Sequence, residues 1–411
     1  MASRRFVLTI ALSIVALYAA LLGVLRFHLC LNDFWAWSFF ASRIEFGDAA
    51  SLYNGFMPPA YAVFLRIVGP GGEIAAAFAV TLLSVFAAAI AVGSVGRGVG
   101  AAGVVAIGGV LLALFPPFLQ SGLTAGPDIL VAALVSLAVA LYWAEPRSVR
   151  LSAFAGLVLG LATLVRGHAL LAGLALLLAP VIVDRRLGRA DLVLVSGLAA
   201  AVLIQIGINL AAGEAAWSSG QPFNIHKMVY GMNWFEPARP ESISVPAIVA
   251  DQPWNFFRGW AGAGLRAGFW LVGPALAWGH ARRHGLARLR RFSALATVAG
   301  VIYVVPVSLG DSPRAMVVVS ILVVVPVAGL LADLRRRRVD MYGLAAVAVI
   351  AFGFVAGLGS NRAFWEHNLA QSRDFAEVER RLAELGVDSA RQVFTDDFDL
   401  YFRRIDDVRP L

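Results

Sequence analysis

The chain has 411 residues, of which 59% are hydrophobic and only 15% charged, with a formal charge of +8. Water-soluble globular chains carry about 45–50% apolar and about 25% charged residues, so this one lacks the polar surface to cover a core in water. A soluble enzyme and a disordered chain are excluded, as is a disulfide scaffold, because Cys30 is the sole cysteine.

A helix needs roughly 20 predominantly apolar residues to cross a bilayer. Eleven stretches qualify or come close: 6–25, 73–95, 101–118, 128–144, 151–165, 169–183, 192–212, 263–279, 292–309, 314–332 and 341–358. The first follows Arg4 and Arg5 and is too long for a signal-peptide core, so it reads as an uncleaved anchor. The fifth and sixth are short and read as a hairpin turning at Arg166-Gly167-His168. The GxxxG patterns at Gly156/Gly160 and Gly353/Gly357 read as helix-packing faces.

With the N-terminus cytoplasmic, half of the 34 basic residues, counting Arg4 and Arg5, fall on the inside in short segments together with only five acids. The inside turns hold Arg97, Arg147, Arg150, Arg185, Arg186 and Arg189, then the runs 282–291 and 335–338. The basic excess is thus an orientation signal and not a nucleic-acid surface. The expected fold is an all-α polytopic membrane bundle of about 11 transmembrane helices, a membrane module over residues 1–359 with outer loops 26–72 and 213–262. Residues 360–411 are more polar and are expected to form a small extracytoplasmic αβ tail, with a helix over Phe375–Leu385 and a strand over Val393–Phe402. The location expected is a bacterial plasma membrane, with a cytoplasmic N-terminus and an extracytoplasmic C-terminus.

Ionisable groups at membrane depth are costly and tend to mark sites, so the few charges at the outer rim deserve the closest reading. The first outer loop runs Asn32-Asp33-Phe34-Trp35-Ala36-Trp37-Ser38-Phe39-Phe40 and continues to Asp48. Its aromatic density fits an interfacial helix. Asp33 is either a helix cap or a working carboxylate. Beyond it come Tyr53, then Pro58-Pro59 opening an apolar run of about ten residues, too short to span and therefore re-entrant or interfacial. Thr124-Ala125-Gly126-Pro127-Asp128 opens the fourth span. Asp128 could there position an acceptor, hold a metal or cap the helix. Arg166 with His168 nearby, and Arg314 within Asp311-Ser312-Pro313-Arg314, face outward. Each arginine is either a phosphate-binding cation or a snorkelling interfacial residue. In the second outer loop His226, Lys227 and Tyr230 are candidates to line a pocket.

Taken in order, these pieces resemble the GT-C superfamily of membrane glycosyltransferases: an acid after the first span, an aromatic helix, a Tyr and Pro-Pro pair, Pro-Asp at the fourth span, a short hairpin ending in arginine, and a late outer arginine. The chain is similar here to polyprenyl-phosphate-sugar-dependent mannosyltransferases and aminoarabinose transferases. It departs from the many relatives with an Asp-Glu pair, having Asp33-Phe34 instead. The resemblance implies inverting sugar transfer from a polyprenyl-phosphate donor to a lipid, glycan or protein hydroxyl. It implies Asp33 as general base with Asp128 as a second catalytic carboxylate, and Arg166, His168 and Arg314 around the donor phosphate. Tyr53, Pro58, Pro59, His226, Lys227 and Tyr230 would line the substrate pocket. No cofactor is required and no metal ligand set is expected, although a divalent cation is compatible with the chemistry. The competing readings are a multi-pass transporter or lipid flippase, and an O-antigen ligase or polymerase acting through loop 213–262.

Overall fold

The computed structural model describes residues 3–25, 34–55, 57–69, 72–100, 102–144, 148–185, 187–218, 221–230, 244–310 and 313–335, with scattered positions beyond. Most of the eleventh apolar stretch, the Gly353/Gly357 pattern and most of the tail lie outside the described residues. What is described of the tail includes a parallel pair of three-residue strands, β1 (Val393–Thr395) and β2 (Val408–Pro410).

The described elements before the tail are all helical. In chain order come α1 (Arg4–Leu25), α2 (Phe34–Ser42), the 3-10 turn η1 (Ala49–Leu52), α3 (Ala60–Val68), α4 (Glu73–Val99), α5 (Ala102–Leu114) and α6 (Pro116–Gly122). Next are α7 (Pro127–Ala144), α8 (Val149–Val165), α9 (Ala169–Asp184), α10 (Arg189–Ala211), α11 (Gln221–Tyr230) and α12 (Val245–Asp251). The last are α13 (Pro253–Arg283), α14 (Ala287–Gly310), the 3-10 segment η2 (Pro313–Val319) and α15 (Ser320–Leu334).

Lipid is the solvent of this bundle. Its outward faces are apolar: Leu12 is 53% exposed, Leu83 65%, Leu157 61% and Leu203 66%, and such faces would aggregate in water. Among the described residues, four helical stretches are alone long and apolar enough to cross a bilayer: Arg4–Gly23, Ile74–Val99, Arg189–Ala211 and Met316–Leu334. The α5–α6 pair makes a fifth if taken as one bent span. Stretch 341–358 lies mostly outside the described residues, and several of the described stretches differ from their expected bounds for identifiable reasons. Helices α8 and α9 have 17 and 16 residues, about 25 Å at 1.5 Å per residue, short of the ~30 Å hydrocarbon core. Stretch 101–118 is not one helix. Pro116 disfavours α geometry at the residue before it; Phe115 is extended (φ −64°, ψ 116°) and α6 leaves α5 at 64°. Helix α13 starts ten residues ahead of the expected boundary, with Pro253 in its first turn. Stretch 314–332 begins as 3-10 helix and becomes α only at Ser320.

Helix α15 is buried almost throughout and forms the centre. Helices α8 and α10 approach each other closely through glycines. A Cβ on Gly197 would lie 2.2 Å from the Gly156 carbonyl carbon, and one on Gly160 2.5 Å from the Gly197 oxygen. Gly156 and Gly160 are therefore a packing face, as the GxxxG spacing predicts.

Two sets of contacts mark the two ends of the bundle. At one, the Arg288 guanidinium donates to the Gly98 carbonyl (3.1 Å), Arg291 lies 5.6 Å from the Trp143 ring centroid, and the Tyr142 hydroxyl donates to buried Asp191 (2.6 Å). His280 Nε2 and Asp333 Oδ2 are 2.9 Å apart. These are the basic turns assigned above to one side of the membrane. The opposite ends of α7, α8, α10 and α14 carry the candidate site.

Candidate functional site

Helix α8 stops at Val165 because Arg166 turns extended (φ −147°, ψ 117°), and the chain re-enters helix at Ala169 after Gly167 and His168. The expected hairpin turn is thus present. Asp128 occupies the first turn of α7, just after Pro127; a proline opening a helix and an acid near its N-terminus are both favourable there. The two elements meet through an ion pair, Arg166 Nε to Asp128 Oδ1 at 3.0 Å, with side-chain exposures of 18% and 14%.

The first outer loop closes over this pair. Helix α2 buries one of its faces. Phe34, Ala36, Trp37 and Ala41 are all buried, and the helix rests on α3. The buried Trp37 ring lies 5.8 Å from the Arg166 guanidinium carbon and meets Tyr61 of α3 edge-on at 5.5 Å. Helix α3 is the short helix expected after Pro58-Pro59. It buries Tyr61, Ala62 and Leu65, exposes Ile67, and ends at Gly69 with φ 81°. Pro59 is buried. Pro58 stands over the hairpin turn, its Cγ 3.9 Å from where a Gly167 Cβ would sit.

His168 faces Tyr303 of α14 edge to face, ring centroids 6.1 Å apart. Burial first, and the neighbouring Arg166 cation second, push the His168 imidazole down to about 4, so it is neutral near pH 7. Three polar atoms of this cluster are shut off from solvent and find no hydrogen-bond partner among the described residues: Trp37 Nε1, His168 Nε2 and the Tyr303 hydroxyl. Buried polar groups are nearly always paired, so three in one place need an explanation.

The other candidates form two further groups. The Tyr53 hydroxyl and Ser218 Oγ are 2.8 Å apart, joining the two outer loops. Ser218 is itself held by Asn209, whose amide donates to the carbonyls of Ala216 (2.9 Å) and Ser218 (3.1 Å). In α11, the His226 and Tyr230 rings stack at 4.5 Å, and the Tyr230 hydroxyl donates to Asp251 Oδ2 at 2.5 Å. That bond raises the Tyr230 phenol above its ordinary range. Ile225, Val229 and Ile248 pack together beneath them, separately from the main core. Lys227 is half-buried on the same helix. Helix α11 touches α14, but no described contact brings His226, Lys227 or Tyr230 to Arg166.

Asp33 lies outside the described residues, immediately before α2 in the chain. The backbone of Arg314 is within η2, which packs on α7 and α6, while its side chain lies outside the described set. Among the described residues no group of three or more His, Cys, Asp and Glu is placed to hold a metal ion.

Sequence reasoning missed Trp37, Tyr61 and Tyr303 as members of the cluster. Tyr303 sits in an apolar run with nothing to flag it. The signal at Trp37 was present, in the aromatic density beside Asp33. No family model, curated protein or solved structure matches this chain.

Proposed function

We propose that the chain is a membrane glycosyltransferase of the GT-C type, moving a sugar with inversion from a polyprenyl-phosphate donor to an acceptor hydroxyl at the outer face of a bacterial plasma membrane. The observation that supports it is convergence. Elements distant in sequence bring Trp37, Pro58, Asp128, Arg166 and His168 together at one end of an apolar bundle. The bundle's opposite end carries the arginine-rich turns. Chemistry confined to one membrane face fits transfer from a lipid-linked donor better than it fits alternating access, which calls for polar groups near the midplane.

In this reading the Asp33 carboxylate takes the acceptor hydroxyl proton as the acceptor oxygen attacks the anomeric carbon. The anomeric C–O bond breaks, and its electron pair leaves on the polyprenyl phosphate. Arg314 is the cation assigned to that leaving charge. Arg166 is already matched by Asp128, so the pair is assigned to positioning. The catalytic role of Asp33, the positioning role of the Asp128–Arg166 pair, the donor class and the membrane identity rest on the family resemblance together with this convergence.

The test is incubation of the purified protein with radiolabelled polyprenyl-phosphate sugars and membrane lipids. Label should move to an acceptor, and Asp33→Asn should abolish the transfer while leaving a folded, membrane-inserted protein. Transfer from none of the donors, or near-normal transfer by the variant, overturns the reading or its base assignment respectively.

A further inference from the structure

A phosphate diester is an anion and is best held where cationic charge exceeds anionic charge. Among the described residues, the hairpin cluster has no such excess. The Arg166 charge is compensated by Asp128 at 3.0 Å, His168 is held neutral, and Trp37 and Tyr303 carry no charge. What the cluster offers is hydrogen-bonding capacity. The Trp37 indole N–H is a donor, while the His168 and Tyr303 atoms each either donate or accept. The guanidinium–carboxylate pair adds planar donors and acceptors at the rim. Apolar ring surface comes from Trp37 and Tyr61, set edge to face.

A neutral, hydroxyl-rich ring matches this set. Its hydroxyls donate and accept, and its C–H faces lie well against aromatic rings. Resting on the glycosyltransferase reading, we infer that the cluster of Trp37, Asp128, Arg166, His168 and Tyr303 is the subsite for the donor's sugar ring and not for its phosphate. The three unpaired atoms are then the groups the sugar satisfies. They are closed to solvent in this state. Gly167, between Arg166 and His168, is exposed at the rim of the cluster.

The experiment compares two ligands on the full chain in nanodiscs: polyprenyl phosphate bearing mannose, glucose or arabinose, and the same polyprenyl phosphate without sugar. At least one sugar should make the lipid bind more tightly to the native protein. Tyr303→Phe and Trp37→Phe should each weaken the sugar-bearing lipid about five- to tenfold, as loss of one ligand hydrogen bond predicts. Both should leave the sugar-free lipid within twofold of native. Tyr303→Phe should not lower the thermal stability of the ligand-free protein, because the hydroxyl it removes has no partner to lose; this separates a ligand-binding role from a packing role.

Equal weakening of both lipids would place the phosphate here and overturn the inference. So would unchanged binding accompanied by a drop in stability, or no sugar adding affinity to the native protein. Failure of the broader reading looks different: no labelled sugar is transferred and neither lipid binds.

Discussion

The Asp128–Arg166 pair yields the most quantitative expectation. Two unit charges about 4 Å apart attract by about 4 kcal/mol at the effective dielectric of a protein periphery. Removing one partner of a well-buried pair costs about 3–5 kcal/mol, because the other charge is left without compensation. Here the side chains keep 18% and 14% exposure, so water recovers part of that loss and about 2–3 kcal/mol is expected for each single change. Asp128→Asn, Arg166→Gln and the double variant form a thermodynamic cycle. At the few degrees per kcal/mol typical of larger chains, each single change should lower the unfolding midpoint of the detergent-solubilised protein by about 5–10 °C, read as loss of the monodisperse peak after heating. The double variant should fall no further than the worse single one, because it buries no orphan charge. If the two losses simply add, the residues are not energetically paired, and the argument that the cluster is electrically neutral collapses with them.

Other expectations follow from separate features. Gly197→Ala should destabilise the protein by about 1–3 kcal/mol, since its Cβ would meet backbone at 2.2 Å. Gly207→Ala on the same helix meets nothing within 4 Å and should stabilise by up to ~1 kcal/mol, so the two midpoints should move in opposite directions. The depressed His168 means that, as pH falls from about 6.5 to about 4, the unfolded chain takes up a proton that the folded chain refuses. Stability should therefore decline across that window, and His168→Gln should flatten the decline; an unchanged slope would show that His168 is not the group responsible. Asn209→Ala removes the two bonds that hold segment 216–218. It should speed proteolysis of that loop several-fold while leaving the inner turns as resistant as before.

Local signals carried much of this architecture. The stop of α8 at Arg166, the packing face of Gly156 and Gly160, and a short helix after Pro58-Pro59 all follow from residues within a turn or two of one another. The Pro116-Pro117 break was equally local; its rule was simply outweighed by the apolar run around it. Partnerships over distance were not legible. Asp128 and Arg166 were both singled out, but as separate agents. Nothing in a single sequence says that a carboxylate at the start of one helix will reach a guanidinium at the end of the next. Tyr303 was invisible for the same reason, since an apolar run does not reveal which of its members faces a polar neighbour. The aromatics of α2 were read by composition as membrane-surface residues, whereas a nine-residue helix has to bury one face on a neighbour to persist.

The glycine seam between α8 and α10 has a mechanical consequence. At Gly156, Gly160 and Gly197 the two backbones are so close that any side chain added there would collide, so the helices are tightly coupled along this seam. The outer edge of the pair carries Arg166 at the end of α8 and Asn209 near the end of α10. Through Asn209 and Ser218 it also holds Tyr53 in the first outer loop. Both outer loops therefore share one footing with the ion pair, and a ligand that displaces either loop pulls on the same base.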